Sequence, residues 1–254
     1  MRADYFRVLS LALFVPAAQA QAVTPLQIQV LAPGLTAAGL RILAVSYTKS
    51  TGTTWENGPE IVLTGGTVGA IQKDITTMPA ADIIVMPVSD MDALDKAGGI
   101  LPGSKTRLGR IDFGVDVKAG APHPDISSRE KFIAVMKNAN AIAFNDPATQ
   151  SLGGIMIAAF LARPEYAGVK PLPGGGARDV AAGKADIGIQ TMSELLPAPG
   201  VEFAGLVPAY LNAHIELSVA VLAHAASPKE AAAFIKYITR PKAAAVWKPN
   251  GVER

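Results

Sequence analysis

The sequence predicts an α/β protein made of two mixed-sheet lobes that are joined by two crossing strands. Short β-branched or apolar runs alternate with longer segments of helical period, a pattern typical of βαβ units. Two candidate strands, 108–118 and 215–223, are longer than the others and lie where the chain would pass between lobes. A single doubly wound domain with one long edge hairpin is the alternative that the pattern leaves open.

Each element follows from local signals along the chain. Helices are expected between the strands, and residues 35–50 and 127–139 show clear helical period. Ser127, with Glu130 three residues later, predicts a capping box for the second of these helices, and Ser227 predicts another before a helix that opens with proline. The strand candidates, in chain order, are 26–31, 60–63, 82–86, 108–118, 141–144, 169–172, 187–190, 203–207 and 215–223.

The first residues have the layout of a secretory signal peptide. Arg2 and Arg7 precede an apolar run at 8–15, and the small-residue stretch Ala-Gln-Ala-Gln-Ala follows at 18–22. The apolar run is much shorter than the roughly 20 residues that cross a bilayer as a helix. We therefore expect residues 1–22 to be a signal peptide and the mature chain to be exported to the periplasm.

The two long strands also predict the limits of the lobes. The first lobe is expected to comprise residues 23–107 plus 222–254, and the second to comprise residues 119–200. Residues 108–118 and 201–221 would be the crossing segments, so that the first lobe is discontinuous in sequence.

Charge and composition exclude several classes of function. Without the two arginines and one aspartate of the leader, the 23 basic and 21 acidic residues become 21 and 20, and such a near-neutral balance argues against a nucleic-acid partner. Cysteine is absent, which excludes thiolate ligands and thiol nucleophiles. Because His123, His214 and His224 have no metal-ligand spacing, we expect neither a metal nor a cofactor.

Loops rich in glycine and small residues follow four of the predicted strands. They begin at Ala32, Thr64, Asn145 and Pro173. In open α/β sheets ligands bind beyond the carboxyl ends of strands, where glycine lets the backbone come close and helix starts present free N–H groups. Converging loops of this kind predict an anion site made mainly of backbone dipoles, without a full positive charge. Arg178, beside the fourth loop, is either a ligand contact or a solvated charge.

Five stretches, at 47–52, 81–86, 91–98, 145–147 and 180–190, occur in an order that is found in a known family. Through them the chain resembles the extracytoplasmic solute-binding proteins of the molybdate-binding family. The resemblance implies the type II periplasmic binding-protein fold, closure of two lobes on an anion, and an ABC permease with its ATPase as partners. We accordingly expect a monomer that binds a small anionic ligand.

The resemblance also implies a set of ligand contacts by position. The implied contacts are Gly34, Thr67, Ser151, Leu152, Ala177 and Thr191. The neighbouring donors Arg178 and Gln190 are expected to contribute as well. Molybdate binders carry serine after the first two strands and tyrosine where Thr191 stands. These departures favour an organic carboxylate over molybdate as the ligand.

A second likeness leads to a different class of function. Residues 120–127, 188–195 and 201–208 are similar to a divergent branch that resembles aconitate isomerase, an exported enzyme on the same scaffold. That activity would move a proton across an allylic tricarboxylate without a cofactor, and it needs a base and donors for the developing negative charge. The candidate groups are His214, Glu194 and Arg178. A binding protein and an isomerase both stay open at this point.

Overall fold

The computed structural model describes residues 27–51, 60–66 and 81–254. The predicted signal peptide at 1–22 and the predicted ligand contact Thr67 lie outside the described residues. None of the helices in these ranges has the length and apolarity that a membrane crossing needs.

Nine strands form in the described ranges, and each overlaps one of the predicted candidates. They are β1 (Gln27–Pro33), β2 (Glu60–Gly66), β3 (Ile83–Pro87), β4 (Thr106–Lys118), β5 (Ile142–Asn145), β6 (Pro171–Gly174), β7 (Ile187–Thr191), β8 (Val201–Leu206) and β9 (His214–Val221).

The helices of the described ranges lie between these strands and after the last one. They are α1 (Ala37–Ser50), α2 (Val88–Lys96), α3 (Arg129–Asn138), α4 (Leu152–Leu161), α5 (Ala177–Ala181), α6 (Met192–Leu195), α7 (Pro228–Ile238) and α8 (Ala244–Trp247). A 3₁₀ turn at Gly34–Thr36 leads into α1, and another at Pro147–Thr149 precedes α4.

Two predicted capping boxes differ from the structure in detail. The N-cap of α3 is Ser128 rather than Ser127, because it is the Ser128 hydroxyl that accepts a hydrogen bond from the Lys131 N–H at 3.2 Å. Ser127 instead donates its hydroxyl to the Asp125 carboxylate at 2.6 Å. Ser227 does occupy the N-cap of α7, but its side chain makes no capping hydrogen bond. The starts of these two helices were thus predicted to within a residue, whereas the predicted capping hydrogen bonds of Ser127 and Ser227 were wrong.

The first half of the sheet has the strand order β2-β1-β3-β9-β4. β1 runs parallel to β2 and β3, whereas β9 is antiparallel to β3 and β4. In the register of β1 and β2, Pro33 lies opposite Gly66, the residue that precedes Thr67 in sequence. The carboxyl ends of these two parallel strands therefore meet at one edge.

The second half of the sheet is built on the far end of β4. β5 runs parallel to β6 and β7, and both β7 and β8 are antiparallel to β4. Residues 106–112 of β4 pair with β9, and residues 113–118 pair with β7 or β8. One continuous strand thus belongs to both halves of a mixed sheet. The limits of the two lobes stay a prediction.

The chain after α8 adds a second connection beside β4. The backbone N–H groups of Arg110 and Glu253 each donate to the carbonyl of the other at 2.7 Å. Two residues earlier, Gly251 packs against the backbone of Ser193 in α6, where a Cβ would overlap that backbone. Residues 251–253 therefore pack where the two halves of the sheet join.

Asp116 is a buried acid on the second half of β4. It lies opposite Gly188 of β7, packs against that glycine and is fully shielded from solvent. In the part of the chain that the structure describes, neither of its carboxyl oxygens has a hydrogen-bond partner. Because burial disfavours the charged form, it raises the pKa of Asp116 from the usual 3.8 to about 7.

The raised pKa of Asp116 predicts a loss of stability as the pH increases. The folded state holds this proton more tightly than the unfolded state, so the stabilisation is complete below pH 3.8 and is lost as the pH rises through about 7. We expect Asp116→Asn to increase the free energy of unfolding by on the order of 2–4 kcal/mol at pH 8 and to change it little at pH 4. Urea unfolding across this pH range measures both values.

Asp112→Asn is the matched control for this variant. Asp112 lies on the same strand, but its Oδ1 is paired with the Arg110 Nε at 3.0 Å. We expect it to keep the wild-type dependence of stability on pH. A wild-type dependence in Asp116→Asn would contradict the raised pKa of Asp116.

Candidate functional site

A cavity of about 390 Å³ lies at the carboxyl ends of β1, β5, β6 and β7. Residues 33–35 reach it from the first half of the sheet, and the rest of the lining comes from the second half. The strand-end loops at Ala32, Asn145 and Pro173, which the sequence predicts to converge, therefore do meet in space. The lining residues are Pro33, Gly34, Leu35, Asn145, Asp146, Thr149, Ser151, Leu152, Gly153, Gly174, Arg178, Thr191 and Glu194.

Most of the predicted ligand contacts line this cavity. Those that do are Gly34, Ser151, Leu152, Arg178 and Thr191. Gln190 is buried next to Thr191 on β7, and neither it nor Ala177 is part of the lining. The place of Thr67 falls outside the described residues. That any of these residues binds a ligand stays a prediction.

The loop after β5 is shaped by hydrogen bonds within the loop. Asp146 Oδ1 accepts from the Ala148 N–H at 2.8 Å, and Thr149 Oγ1 donates to the Asp146 carbonyl at 2.7 Å. Gln150 then takes a left-handed backbone conformation with φ of 60°. Asp146 thus accepts hydrogen bonds through both its side chain and its carbonyl, and these bonds shape the turn.

The first turn of α4 presents free amides at the cavity. Ser151 is the N-cap, and its hydroxyl accepts from the Gly154 N–H at 3.3 Å. Within the described residues, the N–H groups of Leu152 and Gly153 donate to no protein acceptor. Since a helix start also carries partial positive charge, these two amides favour an anion at this wall.

The turn after β6 depends on Gly176. Its backbone has φ of 54° and ψ of −130°, a conformation that residues with a Cβ rarely adopt. A Cβ at this position would lie 2.8 Å from Asn145 Oδ1 and 3.0 Å from Gln190 Nε2. Among the described residues Gln190 Nε2 has no hydrogen-bond partner. The turn therefore rests directly on two side-chain amides of β5 and β7.

A network of hydrogen bonds fixes Glu194 at the cavity wall. Thr191 Oγ1 donates to Glu194 Oε2 at 2.6 Å, and Asn145 Nδ2 donates to Glu194 Oε1 at 2.8 Å. Ser193 Oγ lies 3.2 Å from Thr191 Oγ1. From the sequence, Glu194 was predicted only as a candidate group for the isomerase, and Asn145 was not predicted as a contact. Asn145 ends β5, and this position at a strand end could have indicated that it lines the cavity.

The cavity holds opposite charges on different residues. Arg178 is exposed and forms no ion pair within the described part of the chain, and Glu194 lies in the same lining. Arg178, one of the expected ligand contacts, thus adds a full positive charge to a lining that the sequence predicts to consist mainly of backbone dipoles. The lining therefore contains one cationic side chain, Arg178, and two carboxylates, Asp146 and Glu194.

His214 lies beside this cavity rather than in it. A neighbouring pocket of about 280 Å³ shares Leu152 with the cavity and is lined in addition by Ser89 and His214. His123 is exposed, with its Nε2 3.3 Å from Glu202 Oε2. In the ranges that the structure describes, no three acidic or histidine side chains are grouped so as to hold a metal ion.

Two halves of a mixed sheet that share a crossing strand, with a cavity where their strand ends meet, define the type II periplasmic binding-protein fold. Two solved structures have this fold. The substrate-binding domain of a putative molybdenum ABC transporter from Clostridium difficile superposes with a TM-score of 0.73 at 14% identity, over 90% of this chain and 99% of that one. The periplasmic molybdate-binding protein of Azotobacter vinelandii gives a TM-score of 0.66 at 20% identity, over 89% and 99% of the two chains.

The chain belongs to the bacterial extracellular solute-binding protein family, whose sequence profile matches residues 28–253. This membership confirms the family and the fold that the sequence resemblance implies. A relative in Pseudomonas sp, an aconitate isomerase, is 29% identical over 245 residues, which cover 94% of this chain and 91% of that protein. The similarity to aconitate isomerase that three stretches of the sequence indicate therefore extends over most of both chains.

We expect Gly176→Ala to destabilise the protein at the turn that packs against the cavity residue Asn145. The added Cβ must take a strained backbone conformation and also displace the amides of Asn145 and Gln190. We expect a loss of unfolding free energy on the order of 3 kcal/mol or more, because strain and overpacking add. Thermal or urea unfolding measures it.

Gly168→Ala is the matched control. Gly168 also has a positive φ, of 90°, but a Cβ there would meet no atom within 4 Å. In this variant only the backbone strain lowers the free energy of unfolding, by about 1–3 kcal/mol. Equal destabilisation by the two substitutions would contradict the contact between Gly176 and the two amides.

Proposed function

We propose that this chain is an exported periplasmic receptor for a small organic carboxylate, with residues 1–22 as its signal peptide. The observation that carries the proposal is that Arg178, Leu152 and Gly153 line one cavity, and that the N–H groups of the last two donate to no acceptor among the described residues. Hydrogen bonds to a charged acceptor are worth about 1.5–3 kcal/mol each, so a few of them offset the cost of desolvating a carboxylate.

The size of the cavity supports an organic ligand. At about 390 Å³ it falls within the range of roughly 300–1,000 Å³ that is typical of small-molecule sites. The fold is shared with a molybdate-binding and a sulfate-binding protein. The lining here has Gly34 and Thr191, however, at positions where the resemblance to molybdate binders implies serine and tyrosine. We therefore favour a di- or tricarboxylate over a tetrahedral metal oxyanion.

Closure of two lobes would couple binding to transport. Because residues 33–35 and the second-half residues face the same cavity, a ligand that touches both sides binds the closed form more tightly than the open one. An ABC permease is the partner that we propose for the closed form, supported by the similarity to the binding domain of an ABC transporter. The ligand-bound receptor is proposed to act as a monomer.

Arg178→Gln tests the proposed receptor. We expect the variant to bind its carboxylate roughly tenfold to a hundredfold more weakly, since one charge-assisted hydrogen bond is lost, and to fold normally because Arg178 is exposed. The ligand is first found by thermal shift against di- and tricarboxylates, sulfate and molybdate, and affinity is then measured by calorimetry. Arg163→Gln is the control, because Arg163 is exposed and does not line this cavity. Unchanged affinity in Arg178→Gln would rule out this placement of the ligand.

A second candidate function is the isomerisation of aconitate. The Pseudomonas relative supports it, and so does the presence of Glu194 and Arg178 in one cavity. In such a reaction a base removes an allylic proton while a cationic donor stabilises the negative charge that develops on the carboxylate, and the proton returns at the other allylic carbon. Arg178 would supply the donor, whereas His214 lies in the neighbouring pocket.

Incubation with cis-aconitate separates the two functions. An isomerase converts it to the trans isomer, and nuclear magnetic resonance follows both isomers directly. For a receptor we expect binding of a carboxylate with no conversion. Conversion by the wild type that is abolished in Arg178→Gln would establish the enzyme in place of the receptor.

A further inference from the structure

The cavity lining combines hydrogen-bond donors with a carboxylate. The donors are Arg178 and the N–H groups of Leu152 and Gly153, which donate to no acceptor among the described residues. We call the lining at Thr191 and Glu194 the second wall; it is adjacent to Gly153, since a Cβ there would lie 3.3 Å from Thr191 Cγ2. A ligand in the cavity meets both the donors and the Glu194 carboxylate.

The second wall accepts hydrogen bonds. A carboxylate has about four lone-pair sites, and Glu194 uses two of them for Thr191 Oγ1 at 2.6 Å and Asn145 Nδ2 at 2.8 Å. Because the hydroxyl proton of Thr191 is given to Glu194, that oxygen has only acceptor capacity left for a ligand. The wall thus presents unused lone pairs and no free hydroxyl proton.

A fully deprotonated anion fits such a wall badly. Its oxygens would face the Glu194 carboxylate, and like charges at contact distance repel, whereas a ligand O–H would donate a charge-assisted hydrogen bond there. Asn145 and Thr191 hold both Glu194 oxygens in place, so the carboxylate does not simply turn away from the ligand.

We infer that Glu194 selects anions that also carry an O–H donor, and that it discriminates against anions that carry none. The inference rests on the proposed function and narrows its ligand class to hydroxycarboxylates and other partly protonated acids. Glu194 acts here by accepting a hydrogen bond from the ligand, and Asn145 and Thr191 act as positioning residues through it.

Matched ligand pairs test this inference. The probes are malate against succinate, citrate against tricarballylate, and hydrogen phosphate against sulfate, each pair differing in an O–H group. We expect the wild type to bind the O–H member of at least one pair about tenfold to a hundredfold more tightly, as for one hydrogen bond to a charged group. Glu194→Gln should reduce that ratio to near one and raise the affinity for the member without O–H.

Two further variants make the result specific. Thr191→Val removes the hydroxyl that fixes Glu194 Oε2 and should reduce the ratio in part. Glu202→Gln is the control, since Glu202 is exposed, lies outside the cavity and accepts from the Gly120 N–H at 3.1 Å. It should keep the wild-type ratio.

The outcomes are distinguishable. Equal affinity within the pairs, or a ratio that Glu194→Gln leaves intact, overturns the inference about Glu194 while the receptor itself stands. Absence of binding by every anion in these pairs and by the aconitates overturns the proposed function and the inference together. A ratio lost in Glu194→Gln but kept in Glu202→Gln supports the inference.

Discussion

The pairing of β4 is the constraint on which the arrangement of the molecule depends. A strand offers N–H and C=O groups to a neighbour on each side, and β4 changes its neighbours along its length, from β9 at residues 106–112 to β7 and β8 at residues 113–118. The two halves are therefore joined through the hydrogen bonds of one continuous strand. The cavity lies at the ends of strands from both halves, so its lining depends on how β4 holds the halves together.

Two buried polar side chains with atoms that lack a partner in the described part of the chain lie in the second half of the sheet, which supplies most of the cavity lining. Within the described residues, the buried side-chain atoms without a partner belong to Asp116, Gln190 and Arg240, and the first two lie on neighbouring strands, β4 and β7. Their cross-strand partners are Gly188 and Gly114, which places both side chains on one face. Buried polar side chains without partners are rare in folded proteins, and where they occur they are often found at functional sites.

Much of the fold follows from local signals in the sequence, and part of the site does not. Gly34 follows β1 directly, Thr191 ends β7, and Ser151 lies in the loop that follows β5. Because the carboxyl ends of parallel strands meet by geometry, the convergence of these residues was predictable. The bond between Asn145 and Glu194 joins residues far apart in sequence and depends on the register of β5 and β7. Ser127 and Ser128 are equally good caps by chemistry, so only the path of the backbone decides between them.

The packing of residues 251–253 beside β4 has a consequence for how the chain folds. Glu253 bonds to Arg110, and Gly251 packs on Ser193, so that the join between the halves is completed by residues that are synthesised last among those that form it. Contacts between residues so distant in sequence carry a large loop-closure entropy and form slowly. Until the distal segment arrives, the side of β4 at Arg110 that Glu253 later covers stays unpaired, and an unpaired strand edge is open to intermolecular pairing while folding is incomplete.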